Sequence, residues 1–211
     1  MFYFDFNNND YILPNSVYYN DVRSSYGKLS NFFIPSENMT DNKSINELNK
    51  DYIERLNLKN NFFINLLLHS DFEDGMKNPA IIFVEQNMAN NVFATYLWLS
   101  NLYNSYLNIS DFDKERNKIL SGILRIFSYV SGNSYLQTIK STLLGLIKLA
   151  LSDNDLSVKE AGVMLIEELR DSESLELLKS FDFSNTVINK YTDKVMNELE
   201  KELSINNRVA V

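Results

Sequence analysis

At 211 residues and 24.5 kDa, with 45% hydrophobic residues, the chain can bury a core without disulfides or a structural metal. It has no cysteine and one histidine, which excludes a disulfide framework, a thiolate nucleophile and a histidine-rich metal site. A net charge of −8 and a pI near 4.8 remove the general attraction to phosphates that non-specific nucleic-acid binding needs. The same balance favours a basic partner, and the lack of cysteine fits a cytoplasmic protein.

Residues 1–36 differ from the rest. Phe2, Tyr3, Phe4, Phe6, Tyr11, Tyr18, Tyr19, Tyr26, Phe32 and Phe33 crowd a stretch broken by Asn7-Asn8-Asn9-Asp10, Pro14 and Gly27. This pattern predicts short strands or an irregular, non-helical aromatic arm, either packed on the main body to close one end of it or offered to a partner. The opening MFYFDFNNND lacks the basic region and sustained apolar run of a secretory signal, so the mature chain is expected to begin at Met1. A polar connector, residues 35–43, marks the boundary of a helical domain expected over 44–203, with residues 204–211 as a frayed tail.

Ser44-Ile45-Asn46-Glu47 is a capping box, and Ile45, Leu48, Tyr52, Ile53 and Leu56 behind it keep helical spacing. Phe62, Phe63, Leu66, Leu67 and Leu68 predict a short apolar helix that ends before Asp71-Phe72-Glu73-Asp74-Gly75, with His69 satisfying its terminal carbonyls. Pro79 suits the first position of the next helix. From Asn78 to Ser110 the only Asp, Glu, Lys or Arg is Glu85, which predicts a helix pair buried on most sides. Its polar asparagines and glutamine rule out a membrane span. A low-charge, aromatic stretch can be interior or a partner-binding groove. In the second case Tyr96, Trp98, Tyr103 and Tyr106 are the contact residues, and Glu167 and Glu168 supply acidic contacts for a basic partner.

Ser110 and Asp111 are expected to cap a long helix carrying Ile119, Leu120, Ile123, Leu124, Phe127 and Val130 on its inner face. After Ser131-Gly132-Asn133-Ser134, the residues Ile139, Leu143, Leu144, Ile147 and Leu151 stripe another. Ser157, with Glu160 reaching back to it, is expected to cap a third, whose Val158, Ala161, Gly162, Leu165, Ile166 and Leu169 form one apolar face. Asp171 or Ser172 then caps a short helix joined to it by almost no loop. Gly122, Gly145 and Gly162 fall inside three successive helices, where glycine costs about 1 kcal/mol relative to alanine, so a seam of close helix contacts is expected at all three. Val187, Ile188, Tyr191, Val195, Met196, Leu199 and Leu203 stripe a terminal helix with a charged outer face.

The order Asp155, Val158, Lys159, Ala161-Gly162, Ile166, Leu169, Asp171-Ser172-Glu173 and Leu175 resembles one HEAT-type repeat. Lys159 stands where arginine is common in that family, and Leu156 where proline is frequent. The resemblance covers about thirty residues. It implies that Asp155 caps the turn, that the valine and small pair sit at the helix contact, and that helices stack into a short HEAT/armadillo-like α-solenoid.

No glycine-rich nucleotide loop, no Gly-x-Ser-x-Gly and no His-Glu-x-x-His occurs, so no cofactor or metal is expected. The pairs Asp111/Asp113 and Asp153/Asp155 flank expected helix starts, where carboxylates favour the helix dipole, and Glu167/Glu168 lies on a solvated face. The sequence therefore leads to an all-α stack with an aromatic arm, acting as a non-enzymatic protein-binding module such as an immunity protein or inhibitor of a basic toxin. Two alternatives are an enzyme resembling the HEAT-like DNA glycosylases, with Trp98 and the tyrosines stacking bases, and a purely structural or oligomerising protein.

Overall fold

The computed structural model describes residues 44–73, 76–110, 113–130, 136–183 and 187–209, so the aromatic arm and the Ser131–Ser134 turn lie outside the described residues. Among the described residues there are nine helices and no strand, as the all-α reading requires. Helix α1 (Ile45–Asn57) opens on the expected capping box: Glu47 N–H donates to Ser44 Oγ, and Ser44 N–H donates to Glu47 Oε2 at 2.7 Å. In α2 (Asn60–His69), His69 Nδ1 lies 2.8 Å from the Asn65 carbonyl, the terminal role read from the sequence. Helix α3 (Pro79–Asn90) begins on Pro79 with Asn78 as its cap, and α4 (Val92–Tyr106) is capped by Asn91.

Helix α5 (Lys114–Val130) starts later than expected. Asp113 accepts from the Glu115 and Arg116 amides, while Asp111 lies outside the described residues. Helix α6 (Leu136–Ser152) leads into α7 (Leu156–Leu169), and here too the cap moves: Asp155 accepts from the Ser157 and Val158 amides at 2.9 and 3.2 Å. Ser157 is thus inside the first turn, with its hydroxyl donating to Asp155, and Glu160 pairs with Arg125 instead of reaching back. A carboxylate is the better acceptor at this end because it also favours the helix dipole. Only Arg170, in the left-handed conformation (φ 49°), and Asp171, the cap of α8 (Ser172–Lys179), separate α7 from α8. Helix α9 (Asn189–Val209) extends into the stretch read as a tail, of which residues 210 and 211 lie outside the described residues.

Two aromatic groups anchor the interior of the first half. Trp98 is fully buried, with its ring centroid 4.8 Å from that of Phe63 and 6.1 Å from that of Phe83, and its indole N–H donates to Asn60 at 2.7 Å. Tyr96 is stacked on Phe127 at 5.9 Å and joins α4 to α5. The low-charge segment is therefore interior, where rings bury large areas and their polar tips find partners. The most extensive helix contact is α5 on α7, followed by α6 on α7. Contacts also join α4 to α6, α6 to α8 and α7 to α9, whereas α1 packs on α4 and α2 on α5. Ion pairs tie the outer ends: Lys140 of α6 bridges Asp171 and Glu173 at the start of α8, and Lys179 of α8 pairs with Glu200 of α9.

The glycine seam holds at two positions and fails at the third. A Cβ on Gly162 would lie 3.0 Å from the Ala150 Cβ, and one on Gly122 would lie 3.0 Å from Leu67 Cδ2, so both glycines permit close packing. A Cβ on Gly145 would meet nothing within 4 Å, because this residue faces outward. Gly145→Ala is therefore expected to stabilise the fold by up to about 1 kcal/mol in equilibrium urea unfolding. Gly162→Leu should destabilise it by about 1–3 kcal/mol through overpacking against α6. A gain from both substitutions would contradict this packing.

Candidate functional site

Helix α5 is enclosed by neighbours on most of its surface. Every residue from Arg116 to Val130 is buried except Lys118, Arg125 and Tyr129. Lys114, Lys118, Ser121 and Arg125 follow one another at four, three and four residues, which places them on one face of the helix. That face forms one side of an open cleft of about 390 Å³. Ser70, Asp71 and Phe72, which follow α2, form a second side, and Asp155 and Ser157 at the start of α7 form a third. Phe72 is the one apolar side chain in a lining otherwise made of charges, hydroxyls and an amide.

Asn117 and, behind it, a buried ionic network form the floor. Arg116 Nη2 and Asp153 Oδ2 are 2.7 Å apart, and each side chain is only 3% exposed. Arg116 Nη1 donates to Asn117 Oδ1 at 2.8 Å, and Asn117 Nδ2 donates to Asp155 Oδ2 at 2.9 Å. The Asp155 amide closes the ring by donating to Asp153 Oδ1 at 2.9 Å. Asp155 thus accepts at both carboxylate oxygens, from the helix amides on one side and from Asn117 on the other. On the flank, Arg125 pairs with Glu160 of α7 at 2.9 Å. Lys114 and Lys118 have no ion pair among the described residues, and both are exposed. Among the described residues no group of acidic or histidine side chains could hold a metal.

Tyr103 lies beneath this network. Burial, reinforced by the Asp153 charge and opposed by Arg116, pushes its phenol far above the usual tyrosine range. Its hydroxyl has no hydrogen-bond partner among the described residues.

The residues singled out from the sequence do not gather into one surface. Tyr96, Trp98 and Tyr103 are in the interior, at 1%, 0% and 0% exposure, so they cannot contact a partner or stack bases in this fold. The physical reason is that α1, α3 and α5 pack on α4, a helix without a charged residue, and α2 sets Phe63 and Asn60 against Trp98. Tyr106 is half-buried against the core. Glu167 accepts from the Tyr191 hydroxyl at 2.6 Å and so joins α7 to α9, while Glu168 is exposed. The cleft residues Lys114, Lys118, Ser121 and Arg125 were not read as a patch, because they are dispersed along the sequence. Their signal was the helical spacing of the cations on a helix whose other positions are mainly apolar.

The chain matches no known protein family, no curated protein and no solved structure. The cleft's chemistry has to be read from its own residues. It presents two ammonium groups with no ion pair among the described residues, three serine hydroxyls, and an Asn117 amide held by Arg116 and Asp155.

Two phenols, on Tyr52 and Tyr103, set a pH dependence. Burial pushes Tyr52 up to about 12 from an ordinary 10.0, with Arg55 pulling the other way, and Tyr103 shifts in the same direction. Below pH 10 these phenols are protonated in both states and their contribution is complete. Above it the unfolded chain releases protons that the folded chain holds, so stability should fall as the pH rises from 10.0 through about 12. Urea midpoints across that window should drop less steeply in Tyr52→Phe and Tyr103→Phe than in the parent. An unchanged slope in both variants would contradict the assignment.

Proposed function

We propose that the chain is a non-enzymatic protein-binding module, built as a short HEAT- or armadillo-like stack that holds another protein on its surface. Support for the stack comes from the next-but-one contacts α4–α6, α5–α7, α6–α8 and α7–α9, the ladder that a solenoid makes. The α1–α4 and α2–α5 contacts depart from that ladder, so the repeat is regular only in the second half. The observation that carries the binding reading is the cleft along α5. It is open and polar where small-molecule sites are enclosed and apolar, a shape that suits a chain segment laid across it.

The acidic balance supports an inhibitor or immunity protein that meets a basic toxin or effector. Many C-terminal carboxylates already have internal cations: Glu173, Glu176, Glu198, Glu200 and Glu202 all lie in ion pairs. Glu168 and Asp193 are exposed without one among the described residues, and they are the groups through which a basic partner would be drawn. A nucleic-acid enzyme is the second reading. The lysine stripe favours it, and the burial of Trp98, Tyr96 and Tyr103 removes the base-stacking surface that it needs.

Affinity capture from the source cells tests the proposal, using the parent chain, Lys114→Glu/Lys118→Glu and Glu168→Lys/Asp193→Lys as parallel baits. A protein retained in stoichiometric amount by the parent and lost from one double variant is the expected result. Identical retention on all three baits, or retention of nucleic acid alone, would contradict it.

A further inference from the structure

We propose that the aromatic segment, residues 1–34, folds back within the same chain onto the open edge of α1 and α4. An apolar overhang points to it. Ile45, Leu48, Asn49, Tyr52 and Leu56 recur at three- and four-residue steps and so share one face of α1. Leu48 and Leu56 are buried there, and Asn49 accepts from Asn91 Nδ2 at 2.8 Å. Asn91 is the cap of α4, and Asn60, just past α1, meets Trp98 further along α4. The two helices therefore run in the same direction, with the second turn of α1 level with the start of α4. The first turn of α1 projects beyond it, which leaves Ile45 52% exposed on the face that is buried further along.

Phe93, in the first turn of α4, is 36% exposed within a turn of the Asn49–Asn91 bond. Leu97, Asn101 and Asn104 follow it at four, four and three residues, so the four share one face. Leu97 is half-buried and both asparagines are exposed. This stripe carries no charge, and the two asparagine amides have no hydrogen-bond partner among the described residues.

The attachment of the chain selects the occupant. Ser44 caps α1, so residues 1–43 join the fold beside Ile45. Ten aromatic residues lie before Ser44, too many rings to leave in water. The stripe from Phe93 to Asn104 is about 17 Å long, and the connector 35–43 spans at most about 30 Å, so Phe32 and Phe33 can reach any part of it. Covalent attachment keeps the segment at an effective concentration on the order of mM, which favours it over a separate molecule making the same contacts. Ile45, Phe93 and Leu97 offer apolar surface for the rings, and the free amides offer donors and acceptors to the backbone of the segment.

Hydrogen–deuterium exchange of the full purified chain, read by peptide mass spectrometry, tests this. Peptides from residues 1–34 should be protected in the parent, to the same degree at every protein concentration. Ile45→Asp/Phe93→Asp should speed their exchange at least about tenfold and leave α5 and α7 as in the parent. Both substitutions put a carboxylate in the first turn of a helix, where the dipole favours it. Asn101→Lys/Asn104→Lys, at exposed positions of the same stripe, should have the same effect, whereas Leu149→Asp, at an exposed position on α6, should have none. The proposal is overturned if residues 1–34 exchange as fast as an unstructured peptide, if both double variants leave their protection intact, or if Leu149→Asp removes it equally. Protection that appears only as the chain is concentrated would put the segment on a second copy and overturn the intramolecular assignment.

Discussion

The ion pair between Arg116 and Asp153 is the interaction on which the arrangement of the second half depends. Both side chains are 3% exposed, so each has lost its hydration and is held by the other. Such a pair adds little net stability relative to apolar residues of the same size, but removing one partner leaves a buried charge uncompensated. Its position gives it reach. Arg116 is in the first turn of α5 and Asp153 begins the turn between α6 and α7, so the pair fixes where α7 starts relative to α5. Asn117 then passes that constraint to Asp155, and Asp155 passes it to the first amides of α7. The most extensive helix contact in the fold, α5 on α7, follows from this placement.

The same constraint creates the cleft. Burying α5 on nearly all sides leaves only a narrow stripe of it in contact with water, and the long polar side chains of the helix must exit there. Internal carboxylates neutralise the cations that lie near helix contacts, as with Arg116 and Arg125, and leave Lys114 and Lys118 without an ion pair among the described residues. A strongly acidic chain thus carries two exposed lysines on one face of α5, set across the cleft from the carboxylates of Asp71 and Asp155.

Much of the fold was legible because its signals are local. The Ser44–Glu47 capping box, Pro79 at a helix start, His69 at a helix end and the apolar face of α5 each depend on residues within a turn or two of one another. The departures came where a distant residue decides. Ser157 and Asp155 are both good caps by local rules, and Asn117, 38 residues away, holds Asp155 in the role. Gly145 and Gly162 look alike in sequence, and only the second has a helix against it. Trp98 was ambiguous between core and surface until Phe63, Phe83 and Asn60 were placed around it. The cleft was the least legible feature, because its three sides come from α5, the start of α7 and the residues after α2, which only the tertiary fold brings together.

The most direct measurement is a double-mutant cycle on Arg116 and Asp153, read by equilibrium urea unfolding of Arg116→Ala, Asp153→Ala and the double variant. Each single substitution is expected to cost about 3–5 kcal/mol, and the double variant clearly less than the sum, with a coupling of at least about 2 kcal/mol. Single losses below about 1 kcal/mol that simply add would show that the pair does not fix α7 on α5, and would contradict this account of the cleft.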